Sequence, residues 1–293
     1  MRRLPRRLGP EDDTSPEPDA EWRSYVVCST PRSGSQLLCR GLASTGVAGV
    51  PMEYFNAINR DPLTTRWGCG ESLEAYVRAL RAHRTSPNGV FGTKMHWDQL
   101  EHIWAESLDR PPRELPFTLE SGFLDSLFPG ARHLYIRRLD VNRQAVSRWI
   151  AAQSEVWEVG REDPYPRRTA VHYSFSGIER YRRHIALGDL HWDRYFHVNG
   201  IEPKEVWYED LAEDYEGVLR DVLSHLVPGS ETIDIAPAET RRPGGALTAA
   251  FTERFVSDLV RRGIEGPNIS ERLSDRVHRA ADLVTRGLHI PEA

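Results

Sequence analysis

Lysine is almost absent from this chain of 293 residues, because 36 of its 38 basic side chains are arginines and two are lysines, Lys94 and Lys204. The basic side chains are outnumbered by 43 acidic ones, which gives a formal net charge of −5. A protein of that overall sign has no long-range attraction for a polyanion. The charge therefore argues against a nucleic acid as the partner.

Cysteine is also scarce. The three cysteines, Cys28, Cys39 and Cys69, show no CxxC spacing. An odd and widely spaced set predicts neither a disulfide framework nor a zinc site, and it is typical of a reducing compartment. We therefore expect a cytoplasmic protein with no bound metal.

Long apolar runs are missing as well. No run approaches the roughly 18 residues that a membrane-spanning helix needs, so we expect no membrane span. The basic N-terminus continues into acidic residues and not into the apolar stretch of a signal peptide. We predict a disordered tail over residues 1–20. The hydrophobic fraction of 39% is enough for one core, so residues 21–293 are predicted to form a single domain that ends in a helical segment from about Ile269.

Four short apolar runs bounded by turn residues predict buried strands, at residues 25–28, 90–93, 132–136 and 205–208. Stretches with helical spacing separate them. This alternation predicts an α/β fold with a parallel sheet flanked by helices. Weakly patterned stretches are interpreted as loops, at residues 56–70, 109–116, 158–170 and 239–249.

The loop after the first predicted strand has the composition of an anion site. Residues 30–35 read TPRSGS and lead directly into a helical pattern. Glycine allows close backbone approach, and the helix start directs N–H groups at the loop. The loop lacks the lysine and hydroxyl pair of the Walker A motif, which disfavours a triphosphate site. An ordinary polar turn is the alternative interpretation.

These residues resemble the 5'-phosphosulfate loop of sulfotransferases that use 3'-phosphoadenosine 5'-phosphosulfate (PAPS). Segments that follow in order are similar to motifs of the mycobacterial trehalose 2-sulfotransferase family: TGVAGVPMEYF at residues 45–55, PNGVFGTK at 87–94, and residues 138–149. The resemblance implies the P-loop-like sulfotransferase fold, PAPS as the donor and a possible homodimer. No metal is required where cationic side chains neutralise the leaving phosphate.

The resemblance also implies which residues hold the 5'-phosphosulfate. They are Thr30, Arg32, Ser33, Gly34, Ser35 and Gln36. The last is a glutamine where the family usually has a hydroxyl residue. Lys94 would reach the sulfuryl group or the leaving phosphate as a mobile point charge.

The 3'-phosphate distinguishes PAPS from adenylyl sulfate. By the same resemblance, Arg138 at a strand end and Ser147 on the next helix would hold it. Arg137 is an alternative at that strand end, and Arg241 would contribute from a C-terminal flap.

Two residues compete for the role of general base. Glu53 matches the acid of the family's PxEFF segment, and burial beside Tyr54 and Phe55 is expected to raise its pKa. His96 follows Lys94 with the Lys-x-His spacing of animal cytosolic sulfotransferases. We favour Glu53, with His96 in contact with the acceptor.

The predicted function is transfer of the sulfuryl group of PAPS to a hydroxyl of a small acceptor, either a sugar or a glycosylated metabolite. A trehalose-like acceptor fits the resemblance, but Val50 replaces a family glutamate beside the acceptor site. Two alternatives remain open. One is a catalytically inactive nucleotide-binding protein on the same scaffold, and the other is a P-loop small-molecule kinase.

Overall fold

A parallel sheet lies at the centre of this computed structural model, which describes residues 8–112, 121–160, 170–241 and 245–264. The strands are β1 (Arg23–Ser29), β2 (Val90–His96), β3 (Arg132–Arg137), β4 (Val159–Gly160), β5 (Lys204–Trp207) and β6 (Thr240–Arg241). Four of them form the central sheet in the order β2-β1-β3-β5. The short strands β4 and β6 pair separately and antiparallel.

Helices connect and flank these strands. They are α1 (Ser35–Ser44), α2 (Ala57–Trp67), α3 (Leu73–Arg84), α4 (Trp97–Ser107), α5 (Ser121–Leu127), α6 (Val141–Ser154), α7 (Phe175–Val198), α8 (Tyr208–Glu213), α9 (Tyr215–Leu226) and α10 (Gly245–Arg261). A short 3-10 helix covers Pro10–Asp12. Within the described ranges, none of the helices combines the length and apolar character needed to cross a membrane.

The central sheet confirms the predicted fold class and all four predicted strands. β1 lies between β2 and β3, and its Ser29 pairs with His96 on one side and Ile136 on the other. Val26 and Val27 of β1 are fully buried, as expected for a strand covered on both faces. Because the strands are parallel, their carboxyl ends meet at one edge of the sheet, where ligands bind in folds of this kind.

The predicted loop at residues 56–70 is wrong over most of its length, because α2 lies there. Asn56 caps this helix by accepting the N–H of Ile58 at 3.1 Å. Pro62 lies inside the helix, and Leu63 is its one buried apolar side chain. A proline and a single buried apolar residue leave no periodic signal from which a helix can be predicted.

The predicted loop at residues 239–249 is also wrong in part, since α10 begins at Gly245. Phe255 and Leu259 of α10 are buried in a second apolar cluster with residues of α6 and α7. The helix α10 therefore packs against α6 and α7. The helix predicted from Ile269 lies outside the described residues.

The predicted disordered tail differs from the structure over residues 8–20. Leu8 is 1% exposed and belongs to the main core. The carboxylate of Asp13 lies 2.7 Å from Arg66 and 3.0 Å from Arg84, which is fully buried. Asp13 thus finds cationic partners that are distant in the sequence. The first seven residues lie outside the described ranges.

We expect Asp13→Ala to lower the free energy of unfolding by about 2 kcal/mol, because buried Arg84 would lose this carboxylate. Urea denaturation of both proteins measures the difference. Glu17→Ala is the matched control, since Glu17 is exposed, and a change below about 0.5 kcal/mol is expected there. Equal effects of the two substitutions would contradict a structural role for Asp13.

Candidate active site

The loop between β1 and α1 has a backbone that requires glycine. Arg32 and Gly34 adopt left-handed conformations, with φ angles of 70° and 92°. A Cβ atom at Gly34 would lie 2.4 Å from the Tyr208 ring, so both the conformation and the close approach favour glycine. The N–H of Ser33 donates to the carbonyl of Thr30 at 3.3 Å and closes the turn.

Two features of this loop fit an anion. Ser35 and Gln36 are the first residues of α1, so their N–H groups have no partner within the helix. The hydroxyl of Ser33 is buried and makes no hydrogen bond to any described residue. Donors gathered at a helix N-terminus are typical of phosphate sites. The residues present therefore fit the phosphosulfate group that the sequence predicts here.

Arginines add positive charge beside the loop. The Nε of Arg32 donates to Ser147 Oγ at 3.1 Å, and the guanidinium of Arg138 donates to the carbonyl of Arg32 at 3.3 Å. Burial lowers the pKa of Arg32 to about 10, and the charges of Arg138 and Arg148 contribute to the same shift. Since these like charges repel one another, a bound anion would stabilise all three arginines.

Arg148 was not predicted from the sequence. Its guanidinium lies 4.7 Å from the centroid of the Trp157 ring, a cation–π contact. The carbonyl of Trp157 accepts a hydrogen bond from Arg32, which links this stack to the loop. The available signal was the position of Arg148 directly after the predicted phosphate ligand Ser147.

The hydroxyl of Thr30 joins the loop to two neighbouring helices. It donates to Asp189 Oδ1 at 3.2 Å and accepts from Gln144 Nε2 at 3.0 Å. The same amide of Gln144 donates to the carbonyl of Pro31 at 2.9 Å. Thr30 is 2% exposed. The structure thus directs this hydroxyl towards α6 and α7, where it fixes the loop.

The segment that carries Glu53 lies alongside β2. Met52 forms a parallel bridge with Thr93, and the N–H of Lys94 donates to the carbonyl of Met52 at 3.0 Å. Alternation along the strand places Lys94 and His96 on the same face. This pairing brings Glu53 to both of them.

The three predicted catalytic residues are in contact. Lys94 Nζ lies 2.7 Å from Glu53 Oε1, and His96 Nε2 lies 3.4 Å from the same oxygen. Lys94, which is 2% exposed, also donates to Gln36 Oε1 at 2.8 Å. Gln36, which stands where the family usually has a hydroxyl residue, therefore supplies an amide oxygen to Lys94.

Two amides bind the second oxygen of the Glu53 carboxylate. Asn56 Nδ2 donates to Oε2 at 3.3 Å, and Gln99 Nε2 donates to it at 3.2 Å. Neither amide was predicted as part of the site. Asn56 follows Glu53 closely in the sequence, but Gln99 carried no signal because its contact depends on the position of α4.

The predicted rise in the pKa of Glu53 is wrong. Burial alone would raise this pKa, but the charges of Lys94 and His96 and their hydrogen bonds hold it well below its ordinary value. The expectation considered the apolar neighbours and omitted the cations that the fold places beside the carboxylate. Glu53 is consequently ionised at neutral pH, as a proton acceptor must be.

The imidazole of His96 is oriented by Ser29 at the end of β1. Its Nδ1 lies 2.9 Å from Ser29 Oγ and 3.2 Å from the Ser29 carbonyl. The imidazole can donate to the Ser29 carbonyl only through a proton on Nδ1, and to Glu53 only through a proton on Nε2. Nε2 is the nitrogen that faces Glu53.

Arg137 and Arg241 differ from the other predicted phosphate ligands. Arg137 is 3% exposed and forms ion pairs with Asp193 at 3.0 Å and Glu205 at 3.5 Å. These ion pairs oppose its alternative role at the 3'-phosphate. Arg241 pairs through its backbone with Val159 in the β4 and β6 ribbon. Only the backbone of Arg241 belongs to the described structure.

The family model of the Stf0 sulphotransferases matches residues 24–258 of the chain. The chain belongs to the Stf0 sulphotransferase family. The match spans the anion loop, the Glu53 and Lys94 pair and the arginines beside them.

Curated relatives of this Stf0 sulphotransferase include two proteins named trehalose 2-sulfotransferase. The one from Mycobacterium tuberculosis is 28% identical over 266 residues, which cover 83% of this chain and 97% of the relative. The one from Mycolicibacterium smegmatis is 28% identical over 265 residues, which cover 82% and 97%. A crystal structure of a sulfotransferase from Alicyclobacillus acidocaldarius aligns with a TM-score of 0.42 at 14% identity, over 85% of this chain and 98% of that one.

No cluster of three or more potential metal ligands occurs among the described side chains of this Stf0 sulphotransferase. The cationic groups beside its anion loop are arginines and Lys94.

Asp189 places a buried carboxylate beneath the anion loop of the sulphotransferase. Burial raises its pKa from 3.8 to about 6. The folded state therefore binds a proton more tightly than the unfolded state. The contribution of Asp189 to the free energy of unfolding is therefore most favourable below the pKa of an unfolded aspartate. It falls as the pH rises from about 4 to about 6 and stays reduced at higher pH.

We expect Asp189→Asn to raise the free energy of unfolding by about 1 to 2 kcal/mol at about pH 7.5 and to leave it unchanged at about pH 4. The asparagine oxygen can still accept from Thr30. Urea denaturation at the two pH values measures both differences. A variant that is less stable than the wild type at neutral pH would show that the charged carboxylate stabilises the loop.

Proposed function

We propose that this Stf0 sulphotransferase transfers the sulfuryl group of PAPS to a hydroxyl of a small acceptor, with Glu53 as the general base. The observation that carries the proposal is the Lys94 and Glu53 pair, 2.7 Å apart, beside an anion loop that contains Arg32 and is contacted by Arg138. A cation for a leaving phosphate and a carboxylate for a hydroxyl proton are the two groups that sulfuryl transfer needs.

The donor half of the proposal rests on the arginines. Arg32 would bind the 5'-phosphosulfate together with the N–H groups at the start of α1. Arg138 and Ser147 would bind the 3'-phosphate, since both already contact Arg32 and lie beside the loop. Guanidinium groups suit phosphate because they donate two parallel hydrogen bonds.

The transfer step makes one bond to sulfur, breaks another and moves one proton. The acceptor oxygen bonds to sulfur, the bond between sulfur and the 5'-phosphate oxygen breaks, and the hydroxyl proton passes to Glu53. Lys94 would stabilise the negative charge on the leaving phosphate oxygen. As Lys94 turns towards that oxygen, Glu53 loses its nearest cation, its pKa rises, and it becomes a stronger base.

A carbohydrate or a glycosylated metabolite is the proposed acceptor class. Two curated relatives named trehalose 2-sulfotransferase support a sugar hydroxyl. Val50, which is 6% exposed, provides an apolar side chain where the resemblance places a glutamate near the acceptor. We therefore extend the proposal to trehalose-like acceptors and not to trehalose alone. The cytoplasmic location and the homodimer stay predictions from the sequence.

The direct test is incubation with PAPS labelled in the sulfuryl group, without added magnesium, against a panel of trehalose, other sugars, glycosides, nucleosides and phenols. We expect a labelled product and an equal amount of 3',5'-adenosine diphosphate. Binding of that nucleotide without any acceptor-dependent product would support an inactive nucleotide-binding protein. Magnesium-dependent phosphorylation from ATP would support a kinase.

The donor half is tested by Arg138→Ala, measured as the affinity for 3',5'-adenosine diphosphate in isothermal titration calorimetry. We expect a loss of about 1.5 to 3 kcal/mol, the range for a hydrogen bond to a charged group. Arg78→Ala makes the same charge change at an exposed residue of α3 and should leave the affinity unchanged. An unaltered affinity in Arg138→Ala would remove Arg138 from the site.

The assignment of the base is tested by comparing Glu53→Gln with His96→Ala. We expect Glu53→Gln to lower kcat by roughly 100-fold or more, the range for loss of a general base, with nucleotide affinity retained. His96→Ala should keep a larger share of the activity. The reverse order of the two effects would make His96 the base.

A further inference from the structure

The two oxygens of the Glu53 carboxylate have different kinds of neighbours. Oε1 faces the ammonium of Lys94 at 2.7 Å and the imidazole of His96 at 3.4 Å, both of which can carry a proton. Oε2 faces the side-chain amides of Gln99 at 3.2 Å and Asn56 at 3.3 Å. Side-chain amides donate hydrogen bonds but neither gain nor lose a proton, so the two oxygens of the carboxylate differ in their chemical surroundings.

The orientation of both amides is determined by the backbone. Gln99 accepts the N–H of His96 through its oxygen at 3.1 Å, and Asn56 accepts the N–H of Ile58 at 3.1 Å. Each amide oxygen is therefore occupied by a donor, and each NH2 group must point the other way, towards Glu53. Gln99 is 9% exposed, which protects this arrangement from solvent.

We propose that Gln99, assisted by Asn56, is a positioning residue that holds Oε2 of Glu53 so that Oε1 receives the proton of the acceptor hydroxyl. This inference rests on Glu53 being the base of the proposed function. When Lys94 moves to the leaving phosphate, Oε1 loses its ammonium neighbour and keeps only the imidazole of His96, whereas Oε2 keeps both of its amide donors. The carboxylate consequently cannot rotate away, and the oxygen that lost the lysine is the one that takes the proton.

Gln99 also has a purely structural role from which the proposal must be separated. Its oxygen caps α4 by accepting the N–H of His96, as the third residue of a capping box. A glutamate at this position accepts the same N–H equally well. It cannot donate to Glu53, however, and it adds a like charge beside it. Gln99→Glu therefore keeps the cap, removes the hydrogen bond to Glu53 and places a second negative charge beside it.

The experiment compares the pH dependence of kcat in wild type and Gln99→Glu. Two carboxylates that share a site raise the pKa of one of them, so we expect the acid limb to move to higher pH by about one unit or more. The KM for PAPS and the thermal midpoint should stay close to those of the wild type. His102→Glu is the matched control, because it adds the same charge at an exposed position of α4 and should leave the acid limb in place.

Gln99→Met gives a second measurement that does not depend on turnover. It removes both hydrogen bonds at similar volume, and we expect the Glu53 carboxyl carbon, identified in NMR spectra by its absence in Glu53→Gln, to titrate at higher pH than in wild type. In the kinetic assay, the same variant should lower kcat about ten-fold at an unchanged KM for PAPS.

The outcomes separate this inference from the proposed function. An acid limb in Gln99→Glu identical to that of the wild type, or a Glu53 titration unmoved in Gln99→Met, would overturn the positioning role and leave Gln99 as a helix cap. Absence of sulfuryl transfer in the wild-type protein would instead overturn the proposed function. In that case a higher titration pH of Glu53 in Gln99→Met than in wild type would still support the hydrogen bonds from the two amides to Oε2.

Discussion

The buried ion pair between Lys94 and Glu53 is the interaction on which the rest of the site depends. An ammonium that is 2% exposed would be strongly disfavoured without a counter-charge, so the fold has to deliver a carboxylate to it. The backbone bridge between Met52 and Thr93 does this by aligning the Glu53 segment with β2. The ammonium and the carboxylate are thereby coupled, and any movement of Lys94 changes the proton affinity of Glu53.

A local cluster of arginines gives this chain a positively charged loop, although its net charge is −5. Burial, together with the charges of Arg138 and Arg148, lowers the pKa of Arg32, so the three arginines lie close enough to interact. The carboxylate of Glu158 offsets only part of this charge at Arg32, because it is 2.6 Å from Arg40, which is 1% exposed. The local surplus of positive charge at the loop is therefore kept although the whole molecule is acidic.

The fold was predictable where a local pattern carries it. The strands of the central sheet are continuous apolar runs because both of their faces are buried, and the sequence shows this directly. The N-terminal segment and α2 were not predictable in the same way. Asp13 is ordered by Arg66 and Arg84, which are far from it in the sequence, and α2 combines an internal Pro62 with few buried residues. Their order comes from contacts that no local window contains.

The sequence by itself determined the chemical character of the site: a glycine-containing loop at a strand end, a lysine in a chain nearly devoid of lysine, and a glutamate within a recognisable motif. Only the tertiary structure decided how these groups act on one another. It set the direction of the pKa shift of Glu53, because that shift depends on the distances to Lys94 and His96 and not on the identity of the sequence neighbours. It likewise brought in Gln99 from α4, since a hydrogen bond between distant segments exists only once the sheet and its helices have assembled.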